Sequence, residues 1–94
     1  MATNEAGRVE FDATIGVDVK GETWSCIEIP DSVELFGTGR SVRVDATIDA
    51  VALDNVGAMP TGSNGHMVSV SAKVRNALGK DVGDEVHVVI ARHA

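Results

Sequence analysis

Apolar and polar residues alternate without interruption from Arg8 to Lys20. Every odd-numbered position from 9 to 19 is apolar, and the positions between them are charged, polar or glycine. Successive side chains of a β-strand point to opposite faces, so this period of two predicts one long strand with a buried face and a solvated face. A chain that contains such a strand must build a sheet and cover one side of it.

Two further segments show the same alternation, Arg40 to Ala50 and Glu85 to Arg92. In the second of them, Val86, Val88 and Ile90 are predicted to point inward. Strands with a single apolar face are typical of antiparallel sheets and barrels, because parallel sheets are covered on both faces and contain continuous apolar runs. The three segments together predict a mainly β protein.

The alternation changes phase at two places. Trp24 and Cys26 share one parity, whereas Ile27 and Ile29 share the other. A β-bulge between the two pairs adds one residue and is predicted to bring all four side chains to the core. A second change of phase, near Asp49–Ala52, predicts a tight turn or a bulge. Bends of this kind allow a small barrel to close and remove its exposed edges.

Two short helices and one loop are predicted between the strands. Residues 30–37 contain an Asp or Ser cap and end at a glycine, which predicts a helix of one or two turns over one end of a barrel. Residues 71–79 begin with a capping serine, place Val74 and Leu78 on one stripe and end at a second glycine. Residues 57–65 are rich in glycine, proline, serine and asparagine, and predict a mobile loop.

Several short motifs follow one another in an order that resembles a known family. They are Trp24, Ile27-Glu-Ile29-Pro30, Gly39 to Val44 and Thr47-Ile48-Asp49 in the first half, then Gly65-His66, Val74 to Gly79 and Val82 to Val86 in the second. In order and spacing, residues 8 to 92 resemble the bacterial DUF1905 family. The resemblance implies a small, closed or nearly closed, mostly antiparallel six-stranded barrel with one or two short helices. It brings no catalytic residue set. We therefore expect a flexible N-terminal tail over residues 1–7 and a single barrel domain over residues 8–92.

Charge and composition limit the classes of partner that the protein is expected to bind. Eight Lys and Arg residues against fourteen Asp and Glu residues give a net charge of −6, which disfavours both nucleic acid and anionic membrane surfaces. The three aromatic residues, Phe11, Trp24 and Phe36, are expected in the core rather than in a row that stacks on bases. No apolar run has the length of a membrane helix and the N-terminus does not resemble a secretory signal, so we expect a cytoplasmic protein.

Candidate metal and nucleophilic residues are few. The three histidines, His66, His87 and His93, lack the spacing of a zinc site, so no metal and no cofactor are expected. Cys26 is the single cysteine, and on an apolar strand it is expected to be a core residue rather than a nucleophile. The loop at 62–65 leads into a predicted strand from 66 to 71 and lacks a phosphate-binding lysine, so a hairpin turn is favoured.

Four residues are candidates for ligand binding: Arg75, Lys73, His66 and Trp24. On the predicted second helix, Arg75 can present its guanidinium to a carboxylate or a phosphate at the barrel mouth. Alternatively, it can pair with Asp81 or Asp84 in the following turn, and this structural role is favoured.

Charged residues also occupy the second alternating segment. Asp45, Asp49 and Arg43 are predicted to be solvated charges on the outer face of that strand. Paired carboxylates need burial before they can divide acid and base roles, and the alternation places these in water.

Three classes of function remain open. The sequence favours a non-catalytic module that binds a small molecule or a protein segment. The alternatives are an enzyme that works without a cofactor at the barrel mouth, and a purely structural homo-oligomer such as a homodimer. The interior of a six-stranded barrel is filled by its own side chains, so a pocket is expected at an open end, under the helix or at a subunit interface.

Overall fold

The computed structural model describes residues 3–5, 8–62 and 64–94. The described chain forms nine strands and two short helices. The strands are β1 (Thr3–Glu5), β2 (Arg8–Thr14), β3 (Val17–Val19), β4 (Glu22–Trp24), β5 (Cys26–Ile29), β6 (Val42–Ile48), β7 (Val51–Pro60), β8 (His66–Ser69) and β9 (Glu85–Arg92). The helices are α1 (Ser32–Phe36) and α2 (Ala72–Leu78).

Seven strands form one sheet in the order β1-β2-β9-β6-β7-β8-β5, and every neighbouring pair is antiparallel. Six of these strands curl into a nearly closed barrel, which confirms the predicted fold class. In sheet order they are β2, β9, β6, β7, β8 and β5. The two ends of the curled sheet meet where the backbone N–H of Gly16 donates to the carbonyl of Cys26, with 2.7 Å between nitrogen and oxygen. We call this meeting line the seam.

The strand predicted from Arg8 to Lys20 is two strands rather than one. β2 ends at Thr14, and the chain turns away from the sheet at Gly16, whose φ of 135° is a conformation that residues with a side chain rarely adopt. Val17 then begins β3, which pairs with β4 as a separate hairpin. The alternation continues through Gly16 because the hairpin also buries odd-numbered side chains, although against a different surface.

The predictions for the two other alternating segments, Arg40 to Ala50 and Glu85 to Arg92, and for a turn near Asp49–Ala52 are confirmed in their main features. β9 has the predicted bounds, and its inward valines and isoleucine are buried. β6 is shorter than the predicted segment, because Asp49 and Ala50 form the turn of a hairpin in which Ile48 pairs with Val51. Ala50 is therefore exposed and does not belong to the core.

A single core fills the barrel. It includes aliphatic side chains from β2, β5, β6, β8 and β9 together with Phe11, Phe36 and Val74. The largest side chains with less than 2% exposure include Ile15, Ile27, Ile29, Ile48 and Ile90. The interior is thus filled by side chains, as the strand number predicts.

A second, smaller cluster lies on the other side of β5. It contains Val17, Cys26 and Met67, with Val19 packed against it. The bulge predicted near Cys26 and Ile27 is wrong: the strand breaks at Ser25, and Cys26 and Ile27 are buried on opposite faces of β5. Trp24 is 42% exposed at the end of β4, so its predicted place in the core is wrong as well.

Both predicted helices are present. In α2 the Ser71 hydroxyl accepts a hydrogen bond from the backbone N–H of Val74, as expected of an N-cap. In α1 the N-cap position is Asp31, whose side chain makes no capping bond, while Ser32 is buried. The helices end at Gly37 and Gly79. Neither helix of the described chain has the length to span a bilayer.

The loop predicted at 57–65 is shorter than expected, because β7 continues to Pro60 and joins β8 through residues 61–65. Ser63 of the predicted loop lies outside the described residues. β8 ends at Ser69 rather than at Ser71, where α2 is capped. Of the N-terminal segment predicted as a tail, residues 1, 2, 6 and 7 lie outside the described part, and Thr3–Glu5 pairs with β2 as β1.

Candidate functional site

One cavity of about 490 Å³ lies where β6, β7 and β8 meet the first turn of α2. Its volume is within the range that small-molecule sites occupy. Its lining is mainly apolar, with three serines and one arginine among the polar residues. The lining residues are Ser41, Val42, Arg43, Leu53, Val56, Gly57, Met59, Val68, Ser69, Ser71 and Val74. The position beside the helix agrees with the expectation for a filled barrel.

A β-bulge in β7 shapes one side of this cavity. The pairing of β6 with β7 shifts between Val44 and Ala46, so that Asp54 and Asn55 together stand opposite Asp45. Asn55 has a φ of 53°, the left-handed conformation that asparagine tolerates better than most residues. Asn55 is therefore suited to the backbone conformation that the bulge requires.

Two side chains of β6 hold the bulge in place. The Asp45 carboxylate accepts a hydrogen bond from the Asn55 backbone N–H at 2.9 Å. Arg43 donates from Nε to the Asn55 side-chain oxygen at 3.0 Å, and from Nη2 to the Asn55 backbone carbonyl. Two of the three residues predicted to be solvated charges, Arg43 and Asp45, thus make specific contacts with the backbone of the neighbouring strand.

Arg43 is the single charged residue in the lining of the cavity, and no carboxylate of the described residues forms an ion pair with it. Its Nη1 lies next to Gly57, where a Cβ atom would stand 3.4 Å away. The Nη1 hydrogens have no acceptor among the described residues. A positive charge with free donors therefore lies at the edge of an apolar cavity.

The four residues predicted to bind a ligand do not line the cavity. Arg75 donates to the carbonyl of Val70 and pairs with Asp81, with 3.1 Å between Nε and the carboxylate oxygen. These contacts fix the end of α2 to its neighbouring turns, in agreement with the structural role that was favoured. Lys73 is exposed on α2, and Trp24 is exposed on the β3–β4 hairpin.

His66 is completely buried, with 0% exposure, and both ring nitrogens have partners. Nε2 lies 2.8 Å from the carbonyl of Arg40, which can only accept, so Nε2 carries a proton. Nδ1 lies 2.7 Å from the Ser32 hydroxyl, which donates to it in the neutral imidazole. The ring also meets Phe36 edge to face at 5.0 Å between centroids. These contacts join β8 to α1.

Asp45, Asp54 and His93 form a small group on the outer surface, with candidate ligand atoms within 4.8 Å of one another. His93 Nδ1 donates to Asp45 at 2.7 Å, and Asp54 lies 3.8 Å from the same nitrogen. The Asn55 backbone N–H, and after it His93, lower the pKa of the Asp45 carboxyl. Asp54 is exposed and the other two residues are half-buried, and the contacts of the group are those that hold the bulge and the C-terminal end of the chain.

A second surface network lies on the outer faces of β2 and β9. His87 donates to Asp12 at 2.7 Å and to Glu10 at 2.6 Å, and these two carboxylates, Asp12 first, raise the pKa of His87. Asp49 accepts from Lys80 and from the His87 backbone N–H, and these bonds lower the pKa of its carboxyl. The network links neighbouring strands and the β6–β7 turn.

Cys26 has the surroundings of a structural residue. It is buried against Val17 and Met67, and burial raises the pKa of its thiol. A raised pKa keeps the sulfur protonated and weakens it as a nucleophile. The prediction that Cys26 is a core residue is confirmed, although it belongs to the smaller cluster.

Sequence reasoning did not identify Arg43 as a residue of the site. The alternation correctly places it outside the barrel core, but alternation carries no information about the bulge that turns a solvated face into the edge of a cavity. Asn55 is the residue from which the bulge could have been suspected, because asparagine is enriched at positive φ.

Comparison with known protein families identifies the family to which this sequence is similar. The family described as "Domain of unknown function (DUF1905)" matches residues 11–90 of the 94-residue chain. None of the curated proteins compared with this sequence matches it. The matched range begins within β2 and ends within β9, so it includes four strands of the barrel in full and most of the other two. The chain therefore belongs to the DUF1905 family.

Proposed function

We propose that this protein is a non-catalytic module that binds a small molecule in the cavity between β6, β7, β8 and α2. The observation that carries the proposal is the composition of the lining: an apolar surface with a few polar groups, in a volume of about 490 Å³. Sites for small molecules have this composition, because the apolar wall supplies affinity and the few polar groups orient the ligand.

The same lining favours binding over catalysis. Among the described residues, it contains no histidine, cysteine or carboxylate. General acid–base catalysis needs a group that gains and loses a proton near the working pH, and nucleophilic catalysis needs a nucleophile beside a base. Serine hydroxyls without a neighbouring base are suited to hydrogen bonding with a ligand instead.

A cavity-filling variant tests the proposal. Ser69 lines the cavity and is exposed, so Ser69→Phe fills space without disturbing the core. Ala52→Phe, on the exposed face of β7 and outside the lining, is the matched control. Both variants and the wild type are screened by thermal shift against a library of single-ring compounds that carry neutral, anionic or cationic groups.

We expect compounds that raise the melting temperature of the wild type and of Ala52→Phe by several degrees, and that have no effect on Ser69→Phe. A ligand present at 100 times its Kd stabilises a folded domain by about 2.7 kcal/mol, which such a measurement detects readily. Compounds that stabilise all three proteins equally, or none, would contradict the proposal. Light scattering on the same samples tests the homodimer, and a dimer that Ser69→Phe dissociates would identify the cavity as a protein interface instead.

A further inference from the structure

We propose that the ligand of the cavity carries a carboxylate, and that Arg43 binds this group. The inference rests on the proposed function, because it concerns the same cavity. It assigns the ligand to a chemical class, an apolar body of about one ring or a short chain with a single carboxylate at one end.

The geometry of the Arg43 guanidinium supports this assignment. Its Nε and Nη2 atoms donate to Asn55, which fixes the plane of the group against the bulge. Nη1 lies beside Gly57, and both residues line the cavity. The edge formed by Nη1 and the remaining hydrogen of Nη2 is free for an acceptor. Two parallel donors on one edge of a guanidinium match the two oxygens of a carboxylate.

Preorganisation and charge add to the argument. An arginine that is already held by two hydrogen bonds loses less side-chain freedom when a ligand arrives, and that cost would otherwise weaken binding. The side-chain contacts between basic and acidic residues in the described chain use other basic residues, Arg75, Lys80, His87 and His93. Arg43 therefore keeps its charge available, in a protein whose net charge of −6 otherwise repels anions.

The apolar lining requires that the ligand is more than an anion. Val42, Leu53, Val56, Met59 and Val68 offer contacts that an inorganic ion cannot use. Inorganic phosphate is expected to bind weakly for this reason. A compound with an apolar body and a carboxylate satisfies both parts of the cavity at once.

Three matched probes test the inference: 4-phenylbutyrate, 4-phenylbutan-1-ol and 4-phenylbutylamine. They share the ring and the chain and differ in the terminal group. Affinities are measured by calorimetry for the wild type, for Arg43→Gln and for Arg8→Gln, a control that removes the same charge from an exposed position on β2. Arg43→Lys keeps the charge but loses the planar fork.

For the wild type we expect 4-phenylbutyrate to bind at least about tenfold more tightly than the alcohol, and the amine to bind most weakly. Arg43→Gln is expected to remove this preference while the affinity for the alcohol is unchanged, and Arg8→Gln to keep it. Arg43→Lys is expected to have an intermediate preference. If Arg43→Gln does not fold, the wild type alone provides the test: the carboxylate, and not the alcohol, shifts the Nε–H resonance of Arg43, and its affinity falls with added salt.

Two results would overturn the inference in different ways. Equal affinities for the carboxylate and the alcohol, with no effect of Arg43→Gln, would overturn the carboxylate assignment and leave the proposed cavity intact. Failure of every probe and every library compound to bind would overturn both. Binding of all probes that survives Ser69→Phe would place them elsewhere on the protein and would also reject the assignment.

Discussion

The Nδ1 atom of His66 and the hydroxyl of Ser32 lie 2.7 Å apart inside the barrel, and this contact connects the strand β8 to the helix α1. Both side chains are buried, with 0% and 1% exposure. A buried polar atom that loses its partner costs free energy because no water replaces the bond.

Ser32→Ala is therefore expected to lower the free energy of unfolding by about 1–3 kcal/mol, since it leaves His66 Nδ1 without the hydroxyl that donates to it. Urea denaturation measures the change. Ser69→Ala, at an exposed serine, is the control and is expected to stay within about 0.5 kcal/mol of the wild type. Equal effects of the two substitutions would show that the contact does not contribute to stability.

The His87 network predicts a dependence of stability on pH. Asp12, and after it Glu10, raise the pKa of His87 above its ordinary value of 6.5. Its stabilising contribution is then fully present below pH 6.5 and is lost as the pH rises through the raised value in the folded protein. The melting temperatures of the wild type and of His87→Gln are measured at a series of pH values from 6 to above 8. We expect that of the wild type to fall relative to that of the variant as the pH increases. Parallel curves for the two proteins would refute this coupling.

Asp49 combines a turn conformation with two accepted hydrogen bonds. Its φ is 51°, and its carboxylate receives the Lys80 ammonium and the His87 backbone N–H, both at 2.8 Å. Asp49→Asn keeps the tolerance for positive φ and one acceptor oxygen, whereas Asp49→Ala loses both. We expect the free energy of unfolding, measured by chemical denaturation, to be highest for the wild type, lower for Asp49→Asn and lowest for Asp49→Ala. The wild type and Asp49→Ala are expected to differ by about 1–2 kcal/mol. Equal stabilities of Asp49→Ala and Asp49→Asn would contradict the role of the turn conformation.

Phe11 tests the assignment of the first strand. Its ring is 4% exposed and belongs to the main core. Phe11→Ala is expected to cost about 3–5 kcal/mol, the usual range for removing a buried aromatic ring. Thr14→Ala, at an exposed position on the same strand, is expected to cost less than about 0.5 kcal/mol. A loss below about 1 kcal/mol for Phe11→Ala would mean that the faces of β2 are reversed.

Much of the fold could be predicted from alternation together with turn residues. β9 is predicted with its full bounds because the Val82-Gly83-Asp84 turn precedes it and its apolar positions alternate strictly. The helix α2 is predicted equally well from Ser71, its apolar stripe and Gly79. In both cases the local sequence preference and the tertiary environment require the same structure.

The single long strand predicted from Arg8 to Lys20 fails for a physical reason: alternation reports burial but not the surface against which a side chain is buried. Val17 continues the rhythm of Phe11, yet it packs in the smaller cluster with Cys26 after the chain turns at Gly16. The prediction that a bulge brings Trp24 to the core fails for another reason: the strand breaks at Ser25, and the two-stranded hairpin leaves Trp24 42% exposed.

The cavity was beyond the reach of sequence reasoning for a related reason. Its edge depends on Arg43 contacting Asn55, twelve residues away, across a bulge whose position is set by the pairing of β6 with β7. The sequence predicts a pocket at an open end, under the helix or at a subunit interface, but residue types alone do not show which of these places holds it or which charged side chain reaches it.

The seam is the side along which the barrel can open locally. In the described part of the chain, a single backbone hydrogen bond, from Gly16 to Cys26, spans it, whereas the other five junctions of the barrel are paired strands. Thermal separation along this line costs fewer bonds than separation anywhere else around the circumference. We therefore expect amide hydrogen exchange to be faster on the side of the molecule where Ile15 and Ile27 lie than in the paired β6–β7 wall that carries Arg43.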